Sequence, residues 1–224
     1  MTELRIDIVS DVVCPWCYIG KRRLEAALDE LARERPDVAP RIRWLPFFLD
    51  PDTPEAGEPY RPYLERKFGG AGKLAEIWQR IAEAGRTAGI AFAFERIERR
   101  ANTLKAHRLI HRSQARGSAG VLVERLFAAQ FVEGLDVGDA AVLARLAAEC
   151  GEDEAQTLEY LAGDEDAAEV RGAFEQARKM GIDSVPFFIL DGRFGVGGAQ
   201  PPDLMLSALR RSLLPGDPAT AKNA

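Results

Sequence analysis

The sequence predicts an α/β chain in which a β-α-β unit and an α-β-β-α unit complete one mixed sheet, with a helical block inserted between them. Three observations lead there. Period-two apolar alternation is confined to the two ends of the chain, at "LRIDIV" with "RIRWLPFFL" and at "VPFFILDGRFGVGG". The long middle carries helical periodicity almost throughout. Asp191-Gly192 between two apolar runs predicts a tight hairpin near the end. The expected organisation is one discontinuous domain over 1–50 and 164–214, an inserted helical domain over 51–163, and a disordered tail over 215–224.

In order, residues 3–9 predict a strand with Leu4, Ile6 and Ile8 on one face. A helix follows to about Arg35, with Leu24, Ala27, Leu28 and Leu31 at helical spacing and Pro36 beyond its end. "RIRWLPFFL" predicts a second strand with Ile42 and Trp44 on one side, so Glu3 to Leu49 has the size of a parallel β-α-β motif. "DPDTPEAGEPYRP" is a turn-rich connection. From about Tyr60 to Gly163 the periodicity predicts helices without strands: Leu74, Ile77, Trp78 and Ile81 form one stripe, Val123, Leu126, Phe127 and Phe131 another, Val142, Leu143 and Leu146 a third. Asn102, Asp139 and Asp153 are candidate N-caps. "EVRGAFEQARKMGI" predicts a helix with Gly181 at C′, and "PPDLMLSALRRSLL" a last helix with Pro201 or Pro202 at its first position. The three Trp and eleven Phe fall mostly on apolar stripes and are assigned to the core.

At 46% apolar and 29% charged residues, the chain has the balance of a soluble globular protein. The net charge of -5, with acids interleaving the arginines in "ERIERR" and "LARERPD", gives no basic face for nucleic acid. No cationic start precedes an apolar signal-peptide core, and no stretch approaches a membrane span, so the expectation is a cytoplasmic protein without nucleic-acid or membrane partners. Three cysteines are a poor disulfide framework in a reducing compartment, where a CxxC points to metal or redox chemistry.

That CxxC is "CPWC". Pro15 suits the first helical position, which puts Cys14 at the N-cap and Cys17 one turn into the helix. Free N–H groups and the positive end of the helix dipole then favour a Cys14 thiolate, and Cys17 is close enough to close a disulfide. The expected geometry is an attacking thiol exposed at the helix tip with a resolving thiol behind it, as thiol–disulfide exchange requires. Zinc is the competing account, since Cys14, Cys17, His107 and His111 formally spell C-x2-C…H-x3-H. The 89 residues between Cys17 and His107 are far from a finger module. Pro186 in "DSVPFFI" opens a strand, where both a cis and a trans bond are open. Cys150, at a helix C-terminus, reads as an inert thiol, and "GVGG" lacks the context of a dinucleotide site.

Taken together, "CPWCYIGKRRLEAAL", "SVPFFILDGRFGVGGAQPPD" and "NTLKAHRLIHRSQARG" resemble the thioredoxin-fold DsbA family, in its cytoplasmic FrnE-like branch, from Arg5 to about Leu214. The resemblance implies a thioredoxin-like fold, Cys14 as attacking and Cys17 as resolving thiol, and a cis Val185-Pro186 bond facing them. It implies that Pro15 and Trp16 tune the redox behaviour, and that the loop Gly197–Gln200 lies nearby. Ser184, Gly198, Gln200, Asn102 and His107 become candidate substrate-binding residues. The related 2-hydroxychromene-2-carboxylate isomerases and kappa-class glutathione transferases use a single serine or cysteine with bound glutathione, so Cys17 is the departure that matters.

The expected function is a dithiol–disulfide oxidoreductase of reductase or isomerase type, acting on protein or small-molecule disulfides through a mixed disulfide. Its cofactor is no more than its own redox-active disulfide, with glutathione as a co-substrate and glutathione or a thioredoxin-type reductant as recycling partner. The alternatives are a glutathione-dependent isomerase or transferase using Cys14 alone, and a non-enzymatic holdase built on the helical block.

Overall fold

The computed structural model describes residues 1–117 and 119–214. The expected disordered tail, 215–224, lies outside the described residues. The chain opens with β1 (Thr2–Ser10), α1 (Pro15–Glu34) and β2 (Val38–Pro46). β2 lies parallel to β1 in continuous register from Thr2↔Val38 to Ser10↔Pro46. After a short β3 (Glu58–Pro59) come α2 (Tyr60–Phe68), α3 (Ala71–Arg86), a short β4 (Arg99–Arg100), α4 (Leu104–Ala115), α5 (Ala119–Ala128), α6 (Ala140–Glu149) and α7 (Glu154–Ala162). The chain closes with α8 (Ala167–Lys179), the hairpin β5 (Phe187–Leu190) and β6 (Phe194–Gly197), and α9 (Pro202–Ser212).

The main sheet has the order β2-β1-β5-β6, with β5 antiparallel to both its neighbours. The two ends of the chain therefore share one sheet, as the alternation predicts. Leu4, Ile6 and Ile8 on one face of β1 join the large core with Leu24 and Leu31 of α1 and Leu209 of α9. Val9, on the opposite face, packs with Phe47, Ala177 and Ile182 under α8. Arg193 N–H donates to the Leu190 carbonyl, closing a turn whose central residues, Asp191 and Gly192, both have positive φ. Asp139 and Asp153 cap α6 and α7, accepting from the N–H groups of Val142 and Gln156 at 2.8 Å. Pro202 is the first residue of α9.

Three expectations need correction. The middle of the chain is not strand-free, because β3 and β4 form a two-residue antiparallel ribbon that periodicity cannot register in so short a run. Ile42 and Trp44 do share one side of β2, opposite Ile6 and Ile8, with Ile42 40% exposed because β2 is an edge strand. That edge is closed at Trp44, where the Gln114 amide both accepts from the backbone N–H and donates to the carbonyl, as a further strand would. Asn102 is not the N-cap of α4. Thr103 holds that position, while Asn102 accepts from Leu104 N–H and donates to the Thr53 carbonyl. The aromatic residues are not all core: Trp16 and Phe68 are more than a third exposed.

Candidate active site

β1 carries the chain into a turn in which Cys14 N–H donates to the Asp11 carbonyl at 3.0 Å. Pro15 then starts α1, and Cys14 is its N-cap in an extended conformation. The Cys14 side chain takes no capping hydrogen bond from the helix. Its thiol points across to the Val185 carbonyl, at 3.7 Å. Pairing of Val9 with Phe187 brings that carbonyl to the helix start, because the chain enters β5 directly after the cis Val185-Pro186 peptide bond. On the other side of Pro186, α1 comes so close that a Cβ on Gly20 would lie 2.9 Å from the proline ring. The Pro186 carbonyl accepts from Gly198 N–H at 2.8 Å, which ties the loop after β6 to the same place.

Cys17 is buried behind Cys14. Burial above all, then the hydrogen bond to Cys14 and the charge Cys14 can carry, pushes the Cys17 thiol well above its ordinary value, and contacts with Ser10 and Asp11 only partly oppose this. Asp11 is itself buried, accepting from Leu49 N–H and lying 3.3 Å from His107 Nε2. The same nitrogen is 3.1 Å from the Phe47 carbonyl. His107 is thus bound into the scaffold behind the cysteines.

The expected exposure of Cys14 at the helix tip is not found. Cys14 is 4% exposed and faces residues between Leu49 and Thr103 across a cavity. It is reached through that cavity, of about 450 Å³, which also includes Pro15, Trp16 and Val185. Tyr60, Trp78 and Phe94 form a stacked row in the lining, with ring centroids 6.4 and 5.4 Å apart. Lys67 and Arg100 lie in the lining too, Lys67 bonded to Asp50 and Arg100 paired with Asp50 and Glu58. Burial, and secondarily the charge of Cys14, pushes the Tyr60 hydroxyl far above its usual range. Gln130 completes the lining. It sits in a π-helical turn, Ala129–Glu133, that continues α5.

The structure therefore brings together Cys14, Cys17, Pro15, Trp16, Val185 and Pro186. Gly198 is tied to Pro186, and Gln200 folds back on Gly197 through its own side chain. Ser184 is exposed, and Asn102 is engaged with the backbone of Thr53 and Leu104. Neither they nor Gly198, Gln200 and His107 line the cavity. Tyr60, Trp78 and Gln130 were not singled out from sequence as site residues. Of these only Gln130 leaves a local sign, as an amide three residues from Phe127 on an otherwise apolar stripe.

Residues 5–210 match the family described as DSBA-like thioredoxin domain. The crystal structure of a probable DsbA oxidoreductase, SCO1869 from Streptomyces coelicolor, superposes with a TM-score of 0.84 at 31% identity, covering 96% of this chain and 93% of that one. The uncharacterized protein YwbO of Bacillus subtilis (strain 168) is 27% identical over 217 residues, 92% of this chain and 96% of its own. The cytosolic disulfide reductase DsbM from Pseudomonas aeruginosa, solved with GSH, shares the fold at 21% identity with a TM-score of 0.63, covering 93% of this chain and 98% of that one. Among the described residues, no helix is long and apolar enough to cross a membrane.

Proposed function

The chain belongs to the family of DSBA-like thioredoxin domains, and from that premise we propose that it is a dithiol–disulfide oxidoreductase in which Cys14 attacks and Cys17 resolves. The observation that carries this is the Cys14–Cys17 pair at the start of α1, with the Cys14 thiol against the Val185 carbonyl inside a cavity. The Cys14 thiolate attacks one sulfur of a disulfide R–S–S–R. A Cys14–S–S–R bond forms as the first RS⁻ leaves. Cys17 then loses its proton to the departing thiolate or to water and attacks Cys14 Sγ, expelling the second RS⁻. Two electrons pass from the pair to the substrate. An external thiol, of glutathione or a thioredoxin-type reductant, returns the pair to the dithiol.

The environment of Cys17 suits this order. Two of the influences that hold its proton, the hydrogen bond and the charge of Cys14, disappear once Cys14 enters the mixed disulfide. Attack thereby eases the loss of the Cys17 proton, although burial, the largest influence, stays in place. The cytoplasm suits the reductive direction of this chemistry, since the thiol pools there keep a CxxC pair reduced.

Dithiothreitol-driven reduction of bis(2-hydroxyethyl) disulfide tests the assignment. Cys14→Ser should abolish turnover. With dithiothreitol left out, reduced Cys17→Ser mixed with the disulfide should instead accumulate the substrate half as an adduct on Cys14, seen by intact-mass spectrometry. Full-rate turnover by Cys17→Ser with glutathione would sink the two-cysteine mechanism and favour a glutathione-dependent isomerase or transferase that needs Cys14 alone.

A further inference from the structure

We propose that the cavity beside Cys14 takes low-molecular-weight disulfides bearing a planar amide, and that Gln130 is the residue that recognises the amide. The proposal rests on the exchange chemistry above and names its substrate. Two independent observations converge on it. The first is access. Cys14 is only 4% exposed and opens into the cavity, which favours a substrate small enough to enter it over a disulfide fixed on a folded protein surface. A small molecule can enter the cavity, whose volume of about 450 Å³ lies in the range of small-ligand pockets.

The second is an unmet demand for hydrogen bonds. Gln130 is 1% exposed, yet neither its Nε2 nor its Oε1 has a partner. A buried amide left in this state is costly, and most buried polar groups avoid it. The cations of the wall are differently placed: Lys67 and Arg100 are already paired with acids, and Arg80 is exposed at the surface, whereas Gln130 is buried. A primary amide offers both a donor and an acceptor in one plane. A carboxylate would answer Nε2 and leave Oε1 unanswered, whereas a second amide answers both. The stacked rings of Tyr60, Trp78 and Phe94 provide a flat, apolar surface for the body of such a molecule.

The backbone holds Gln130 firmly. Its π-helical turn is closed by Gly134 N–H on the Ala129 carbonyl and by Leu135 N–H on the same oxygen. Gly134 has positive φ, and a Cβ there would lie 2.5 Å from the Arg96 carbonyl oxygen, so this turn is packed against the chain around Arg96.

In the reaction, Cys14 bonds to one sulfur of the amide-bearing disulfide and releases the other half as a thiolate. Cys17 displaces the second half, and dithiothreitol reduces the resulting Cys14–Cys17 disulfide. The probes are bis(4-carbamoylphenyl) disulfide and di-p-tolyl disulfide, which differ by an amide in place of a methyl group. Their intrinsic reactivities differ, so the quantity read is the ratio of their kcat/KM values. That ratio should fall about tenfold from the wild type to Gln130→Met, as expected for two neutral hydrogen bonds of moderate strength. A binding measurement on the wild type alone, by tryptophan fluorescence, removes any dependence on how the variant folds. 4-(Methylthio)benzamide should bind about tenfold more tightly than methyl p-tolyl sulfide.

An unchanged ratio in Gln130→Met, or equal binding of the two sulfides, would overturn the role of Gln130 and leave the oxidoreductase assignment standing. Turnover of bis(2-hydroxyethyl) disulfide but of neither aryl disulfide would overturn the cavity as the substrate site. Failure of the wild type to reduce any of the three would bring down the exchange chemistry itself.

Discussion

Cys17 is the residue on which pH acts most directly. Its thiol is held well above its ordinary value by burial and by Cys14, so folding favours the protonated form. The stability this confers is fully present below the unfolded pKa, near 9, and is lost as pH rises towards the folded value. The reduced protein should therefore lose about 1.4 kcal/mol for each pH unit across that interval, over and above what other groups contribute. Urea titrations of reduced wild type and Cys17→Ala at pH 7, 9 and 10 check this; parallel losses in the two proteins would refute it. Both cysteines were legible in the sequence because their placement is local, fixed by Pro15 at the helix start. The burial of Cys14 was not. The residues that face it across the cavity from the middle of the chain lie more than thirty positions away, and no local pattern records which helix packs near which.

Among elements, the junction of α1 with α5 is cross-linked by polar contacts that converge on one acid. Glu124 accepts from the Tyr18 hydroxyl at 2.8 Å, Lys21 Nζ at 2.6 Å and Arg22 Nη2 at 2.5 Å. Burial alone would raise the Glu124 carboxyl, but the bonds and charges of Lys21 and its neighbours carry it below the usual carboxylate value. Lys21 is itself buried, so removing the acid leaves it with Glu25 as its remaining ion-pair partner. Glu124→Gln should cost about 2 kcal/mol at pH 7, discounted from the buried-pair range because Glu124 is partly solvated. The stabilising effect belongs to the ionised form. It is present above the unfolded pKa, near 4.5, and fades as pH falls through the folded value, so the gap between variant and wild type should close in acid. Urea midpoints at pH 7 and pH 3 measure both effects, and a gap as wide at pH 3 would contradict the assignment. The helices themselves could be read from their stripes. What paired them could not, since Tyr18, Lys21, Arg22 and Glu124 look in sequence like ordinary solvated positions.

At the scale of the whole molecule, a single buried cluster runs from the sheet through α1 into the helices between β2 and β5, joining Ile8 and Phe188 to Phe127 and Leu146. The mixed sheet was legible because alternation and the Asp191-Gly192 turn mark its strands. The hollow left where the helices meet the start of α1 was not, because the residues of its wall carry the same apolar signature as core. Leu74, Ile77, Trp78 and Ile81 form one apolar stripe, and all four line the cavity.

The burial of Cys14 also bears on kinetics. Oxidant and reductant must use the same doorway to the same sulfur, and the Cys14–Cys17 disulfide stores the two electrons between their visits. They take turns. Initial rates measured against substrate disulfide at several concentrations of a small reducing thiol should give parallel double-reciprocal lines, the pattern of a double displacement, with each reactant inhibiting competitively against the other when in excess. Intersecting lines would mean that both are bound at once, contrary to a reaction in which each must reach the same buried sulfur in turn.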